Sequence, residues 1–127
     1  MTVGIVDTTV LVHLYRNNAD ALAWAAVGEQ QLAMTPISWL ELMVGAAGKA
    51  GQTRCKAIFG QFDLVYLTQG DQEWAMQQME RYRLSHGVGI NDSLIAAVSY
   101  RLQIPLYTHN LKHMRVLLGD ILPQKPY

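Results

Sequence analysis

Residues 2–6 form an apolar run rich in β-branched side chains, Val3, Ile5 and Val6, that stops abruptly at Asp7. A run of this kind reads as a strand buried on both faces, and such a strand belongs to a sheet with helices packed above and below it. The rest of the chain supplies the alternation this requires. Helical patterns over residues 9–17, with Thr8 or Thr9 near the N-cap, and over about 19–28 lead to a strand at 31–35. Pro36 suits the first turn of the next helix, in which Ile37, Leu40, Val44 and Ala47 keep helical spacing and Gly45 and Gly48 close the segment. Residues 49–56 read as a loop or the polar start of a further helix, 63–67 as a strand and 72–84 as a helix. Residues 92–102 form a strongly apolar helix that Asn91 or Asp92 can cap, 104–108 a last buried strand, and 120–127 a tail that turns polar. The expected architecture is α/β: three layers, with a central parallel β-sheet flanked by helices.

Ligands of such sheets bind beyond the carboxyl ends of the strands, where strand order reverses, and Asp7 stands at one of those ends. Of the ten acidic residues, Asp20, Glu29, Asp71, Glu73, Glu80 and Asp120 have polar, turn or chain-end neighbours and read as solvated. Three keep different company: Asp7 ends the strand GIVD, Glu41 lies within ISWLELMVG, and Asp92 opens the helix NDSLIAAV. A carboxylate in an apolar frame costs several kcal/mol unless it is paired, hydrogen-bonded or metal-bound. Helix capping accounts for Asp7 or Asp92 taken singly. It does not account for Glu41, which has no basic partner four residues on, where Gly45 stands. Thr108 and Asn110 join the set at the end of the last strand. Three carboxylates with an amide and hydroxyls make an all-oxygen donor set suited to Mg²⁺ or Mn²⁺ and not to zinc. His109 and His113 are four apart, but THNLKH lacks the Glu of a zinc-protease helix.

Composition bounds the rest. At 127 residues, half of them apolar, the chain reads as a single domain over residues 1–127 with a core that needs no staple. The lone Cys55 cannot form an intramolecular disulfide, and the longest uncharged stretch, residues 30–40, falls short of the roughly 18 residues of a membrane span. No basic leader precedes it, so a cytoplasmic location is expected and no membrane partner. Ten Lys and Arg balance ten Asp and Glu, which removes the overall basic signature of a nucleic-acid binder. Charged residues reach only 16%, against roughly 25% in ordinary soluble domains, and Met and Trp are abundant, so a face covered by a partner or a second copy is expected.

The ordered set VDTTVLV, SWLELMVG, NDSLIAA and YTHNLKHM, spread over the whole chain, resembles the PIN-domain ribonucleases, in particular the VapC-type toxins of toxin–antitoxin pairs. The resemblance implies a PIN fold and a Mg²⁺- or Mn²⁺-dependent endoribonuclease acting on RNA. It also implies neutralisation by a cognate VapB-type antitoxin, through which alone DNA would be engaged; a homodimer is expected from the low charge and the Met and Trp content. Carried over by residue, Asp7 and Asp92 are the principal metal ligands and Glu41 completes the acidic cluster. Thr9 and Thr108 support it from behind. Asn110 stands where the family often has a fourth acid, and His113 precedes Met114 where an aromatic is common. Cations must draw RNA towards an acidic pocket: Lys112, His113 and Arg115 lie after the last strand, with Lys49, Arg54, Lys56, Arg81 and Arg83 as further candidates. Two alternatives stand beside the nuclease. Asp7 also resembles a phosphoaspartate nucleophile of a phosphatase or receiver domain, although Thr9 replaces the second Asp that such phosphatases carry. The other alternative is a non-catalytic module whose acidic pocket captures a basic segment.

Overall fold

The computed structural model describes residues 1–28 and 31–127, so Glu29 lies outside the described residues. In chain order the elements are β1 (Gly4–Val6), α1 (Thr8–Tyr15), α2 (Ala19–Ala26), β2 (Leu32–Met34), α3 (Pro36–Val44), α4 (Gly48–Phe59) and β3 (Asp63–Leu64). There follow α5 (Gln69–His86), α6 (Ile90–Leu102), β4 (Leu106–Tyr107), α7 (Leu111–Leu118) and β5 (Pro123–Gln124). The five strands pair in parallel in the order β3-β2-β1-β4-β5. Strand order therefore reverses between β1 and β4, which places the crevice at the carboxyl ends of those two strands.

Side chains alternate across the sheet and build two cores. Val6 and Met34 face one side and pack with Val10, Leu11, Leu14 and Phe59 from α1 and α4. Ile5, Ala33 and Leu106 face the other and pack with Ile95, Val98 and Met114 from α6 and α7. Gly4 is glycine for a reason of space, since a Cβ there would stand 2.7 Å from Cε2 of Tyr107 on the neighbouring strand.

Several expectations from sequence are corrected. Of the two readings open for residues 49–56, the helical one holds and the loop does not: they belong to a continuous helix, α4. The tail carries β5, and the carbonyls of Gln124 within it and of Leu122 just before it accept from Thr108 and Leu106 at 2.9 and 2.8 Å. Residues 111–118 form α7, a helix not foreseen. Asp71 is not solvated: it is 2% exposed, forms a capping box with Thr68 at the start of α5, and pairs with Nε of Arg101 on α6 at 2.9 Å. On α3 the regularly spaced Leu40 and Val44 face outwards, 56% and 87% exposed, while Ser38 and Leu42 point into the core. None of the helices formed by the described residues is long and apolar enough to cross a membrane.

Candidate active site

The pairing of Val6 with Tyr107 brings Asp7 and Thr108 side by side where β1 and β4 end, and the Asp7 amide donates to the Tyr107 carbonyl at 2.9 Å. Asp7 is the N-cap of α1, so capping and site-building fall to one residue. Its Oδ1 accepts from the Thr8 amide at 2.8 Å, and its Oδ2 accepts from the hydroxyls of Thr108 at 2.7 Å and Thr9 at 3.3 Å. The supporting positions expected for Thr9 and Thr108 are thus occupied. Thr9 Oγ1 also accepts from the His109 amide at 3.2 Å, which ties α1 to the loop after β4.

Asp92 does not cap α6, whose N-cap is Gly89; it lies in the first turn, where the helix N-terminus favours a negative charge. Its Oδ2 accepts from Nδ2 of Asn110 at 3.0 Å and stands 3.6 Å from Nδ1 of His113. Asn110 therefore meets the cluster as a donor to Asp92, and its backbone amide donates to Thr108 Oγ1 at 2.9 Å. A continuous relay runs from Asp7 through Thr108 and Asn110 to Asp92 and His113. Glu41 arrives from α3. The Thr8 hydroxyl, 2.9 Å from Ser38 Oγ, donates to its Oε1 at 2.8 Å. This tether between α1 and α3 has no sequence signature, because Thr8 reads there only as a helix-start residue.

The three carboxylates line one cavity of about 290 Å³ at the crevice, together with Thr9 and His13 of α1 and the C-cap of that helix, Arg16. Burial pushes the Asp7 carboxyl up to about 6 from its ordinary 3.8; the Thr108 hydroxyl opposes this and the charge of Asp92 adds to it. Asp92 is also raised, chiefly by burial, with His113 pulling it down and Glu41 pushing it up. Among the described residues, no Lys or Arg forms an ion pair with any of the three. The one ion-pair partner of the three carboxylates among the described residues is thus a histidine, His113, beside Asp92. Hard oxygen donors in such a place fit a divalent cation of the Mg²⁺ type. No three His, Cys, Asp or Glu side chains among the described residues are grouped as a ready-made cage.

Of the cations expected near RNA, His113 belongs to the cluster. Lys112 and Arg115 are exposed on α7 and do not line the cavity. Arg54 donates to the Tyr15 carbonyl and stacks over the Tyr15 ring, and Arg83 donates to the carbonyls of Gly87 and Val88 at 3.2 and 3.0 Å. Arg81 stacks on Tyr82, 5.9 Å from the ring centroid. Sequence reasoning passed over His13, Arg16 and His109. The His109 ring packs 4.8 Å from that of His13 and 4.6 Å from that of Tyr127. Burial, then His13 and Lys125, lower its pKa, and its buried Nε2 has no hydrogen-bond partner among the described residues. Only the one-face spacing of residues 9, 12, 13 and 16 could have pointed to the α1 pair.

Residues 4–116 match the model of the PIN domain family, and the chain belongs to that family. Its fold is shared with a toxin–antitoxin complex from Klebsiella pneumoniae, at 23% identity and a TM-score of 0.77 over 98% of each chain. It is also shared with DNA-bound VapBC from Salmonella typhimurium, at 17% identity and a TM-score of 0.80 over 100% of each chain. FitAcB from Neisseria gonorrhoeae matches at 18% identity and a TM-score of 0.74 over 97% of each chain. No curated protein sequence matches significantly.

Proposed function

We propose that this chain, as one PIN unit over residues 1–127, is a Mg²⁺- or Mn²⁺-dependent endoribonuclease and the toxic member of a toxin–antitoxin pair. One observation carries the reading: Asp7, Glu41 and Asp92 converge on a single crevice at the reversal point of a parallel sheet, with no Lys or Arg ion-paired to any of them among the described residues. Asp7 and Asp92 would hold the ion, with Glu41 completing its surroundings. A bound divalent ion supplies water activation and charge stabilisation at the scissile phosphate.

The chain's own residues do the rest. Thr9 and Thr108 fix the Asp7 carboxylate, and Thr8 fixes Glu41. Asn110 and His113 hold Asp92 in place, so Asn110 acts on its neighbour and not as a fourth acid. The family match favours this reading over the phosphoaspartate alternatives.

Several neighbours are VapBC or other toxin–antitoxin complexes, some bound to DNA, which supports a VapB-type antitoxin as partner; DNA contact through that partner alone belongs to the proposal. A homodimer and a cytoplasmic location complete the proposal; the outward apolar side chains of α3 support the dimer. Brief induced expression followed by sequencing of RNA 5′ ends tests the whole. New ends at defined positions, absent with Asp7→Asn and suppressed by the product of the neighbouring antitoxin reading frame, are expected. Growth arrest that persists unchanged in Asp7→Asn would contradict it.

A further inference from the structure

Arg16 is unlike most of the other arginines. Arg54, Arg83 and Arg101 donate to carbonyls or to Asp71, and Arg81 stacks on a tyrosine. Arg115 is exposed on α7, away from the cavity. The Arg16 side chain is exposed, makes no hydrogen bond or ion pair among the described residues, and lines the cavity that holds Asp7, Glu41 and Asp92. It is the C-cap of α1, at the end of the face that begins at Thr9 and continues through Val12 and His13. Seven residues at about 1.5 Å rise put it roughly 10 Å along the axis from Thr9. Helical side chains lean towards the N-terminus, so this face slopes back to the carboxylates. His13 is held there from two sides, by a 2.7 Å hydrogen bond between its Nδ1 and the Tyr127 hydroxyl and by the His109 ring.

A guanidinium at the rim of an acidic crevice that makes no ion pair with the carboxylates keeps its donors free for another anion. Its planar fork of donors matches a phosphodiester. We propose that Arg16, with the fixed ring of His13 beside it, binds an RNA backbone phosphate next to the one at the carboxylates, so that the strand runs along α1 and not over α7. This rests on the nuclease reading above and adds the direction of the strand.

The test is the salt dependence of binding of a fluorescently labelled single-stranded RNA to wild type, Arg16→Ala, Arg16→Lys and Arg115→Ala, by anisotropy, with RNA cleavage by the same proteins measured alongside. Arg16→Ala is expected to flatten the log–log salt slope by about 0.7, the share of one phosphate on a single strand, and to raise KM with kcat little changed. Arg16→Lys keeps the slope and loses part of the affinity. Arg115→Ala changes neither. An unchanged slope in Arg16→Ala, or the loss appearing in Arg115→Ala instead, overturns the proposal, as does wild type that binds no RNA. If wild type binds with an Arg16-dependent slope and cleaves nothing, the phosphate contact stands and the nuclease reading falls. Thermal unfolding of the variants guards against misfolding, which an exposed side chain gives little reason to expect.

Discussion

Asp7 is where stability and function oppose each other. Its carboxyl titrates near 6 in the folded chain against 3.8 as a free side chain. The folded state therefore holds a proton that the unfolded chain gives up, so Asp7 favours folding below about pH 4 and loses that contribution as pH rises through 6. The difference, about 2 in pKa, amounts to about 3 kcal/mol against the fold at neutral pH. Asp7→Asn is expected to raise the Tm of the metal-free protein by several degrees at neutral pH, with the advantage shrinking towards pH 4. An equal advantage at both ends of that range contradicts the assignment. Asp92 is raised in the same direction, and Asp92→Asn should leave the fold intact while removing Mn²⁺ affinity. Titration calorimetry showing unchanged Mn²⁺ binding would argue against it. Asp7, Glu41 and Asp92 were legible in the sequence because a carboxylate inside an apolar run stands out. Asp71 misled because both its partners, Thr68 and Arg101, are ordinary polar residues and Arg101 lies thirty positions away.

Among the elements, those that position the site are mostly the ones the sequence makes visible: β1, β2, α3 and α6 all follow from apolar runs and capping signals. The elements it hides are short or held by distant pairing. β5 is only Pro123–Gln124, yet carbonyls in it and just before it hold the backbone of β4 and of Thr108 itself. Proline at the start of a strand gives no local cue beyond a break. Nor does α7 follow a turn signal that marks it; its N-cap, Asn110, makes no side-chain capping bond because that side chain is turned to Asp92. Two substitutions test the joints between elements. Arg101→Ala removes the bond between α6 and the buried Asp71 and is expected to cost about 2 kcal/mol in denaturant unfolding, with no direct effect on the crevice. Thr8→Val unties Glu41 from α1 and should lower cleavage more than it lowers stability. A variant that loses stability and keeps full activity would show that the tether does not matter to the site.

For the molecule as a whole, neutrality conceals a division. Three of the ten acidic residues gather in the crevice, while exposed cations such as Lys112 and Arg115 and exposed apolar side chains lie outside it. Leu40 and Val44 of α3 are exposed, and next to Ile37 a second groove is lined by Tyr66, Met76, Met79, Ile90 and Leu94. An apolar patch of this kind on a soluble domain marks an interaction surface. If it joins two copies, Leu40→Lys turns a dimer into a monomer in light scattering; a wild type that is monomeric at high concentration removes that part of the account. The fold class was readable from alternation alone, whereas the outward turn of α3 was not, because helical spacing does not say which side of the helix meets the core. Purified protein decides whether the crevice is catalytic. Wild type with Mg²⁺ or Mn²⁺ is expected to hydrolyse a structured RNA, to stop on addition of chelator, and to be inactive as Asp7→Asn while that variant remains folded. Cleavage that survives both chelator and Asp7→Asn would contradict it.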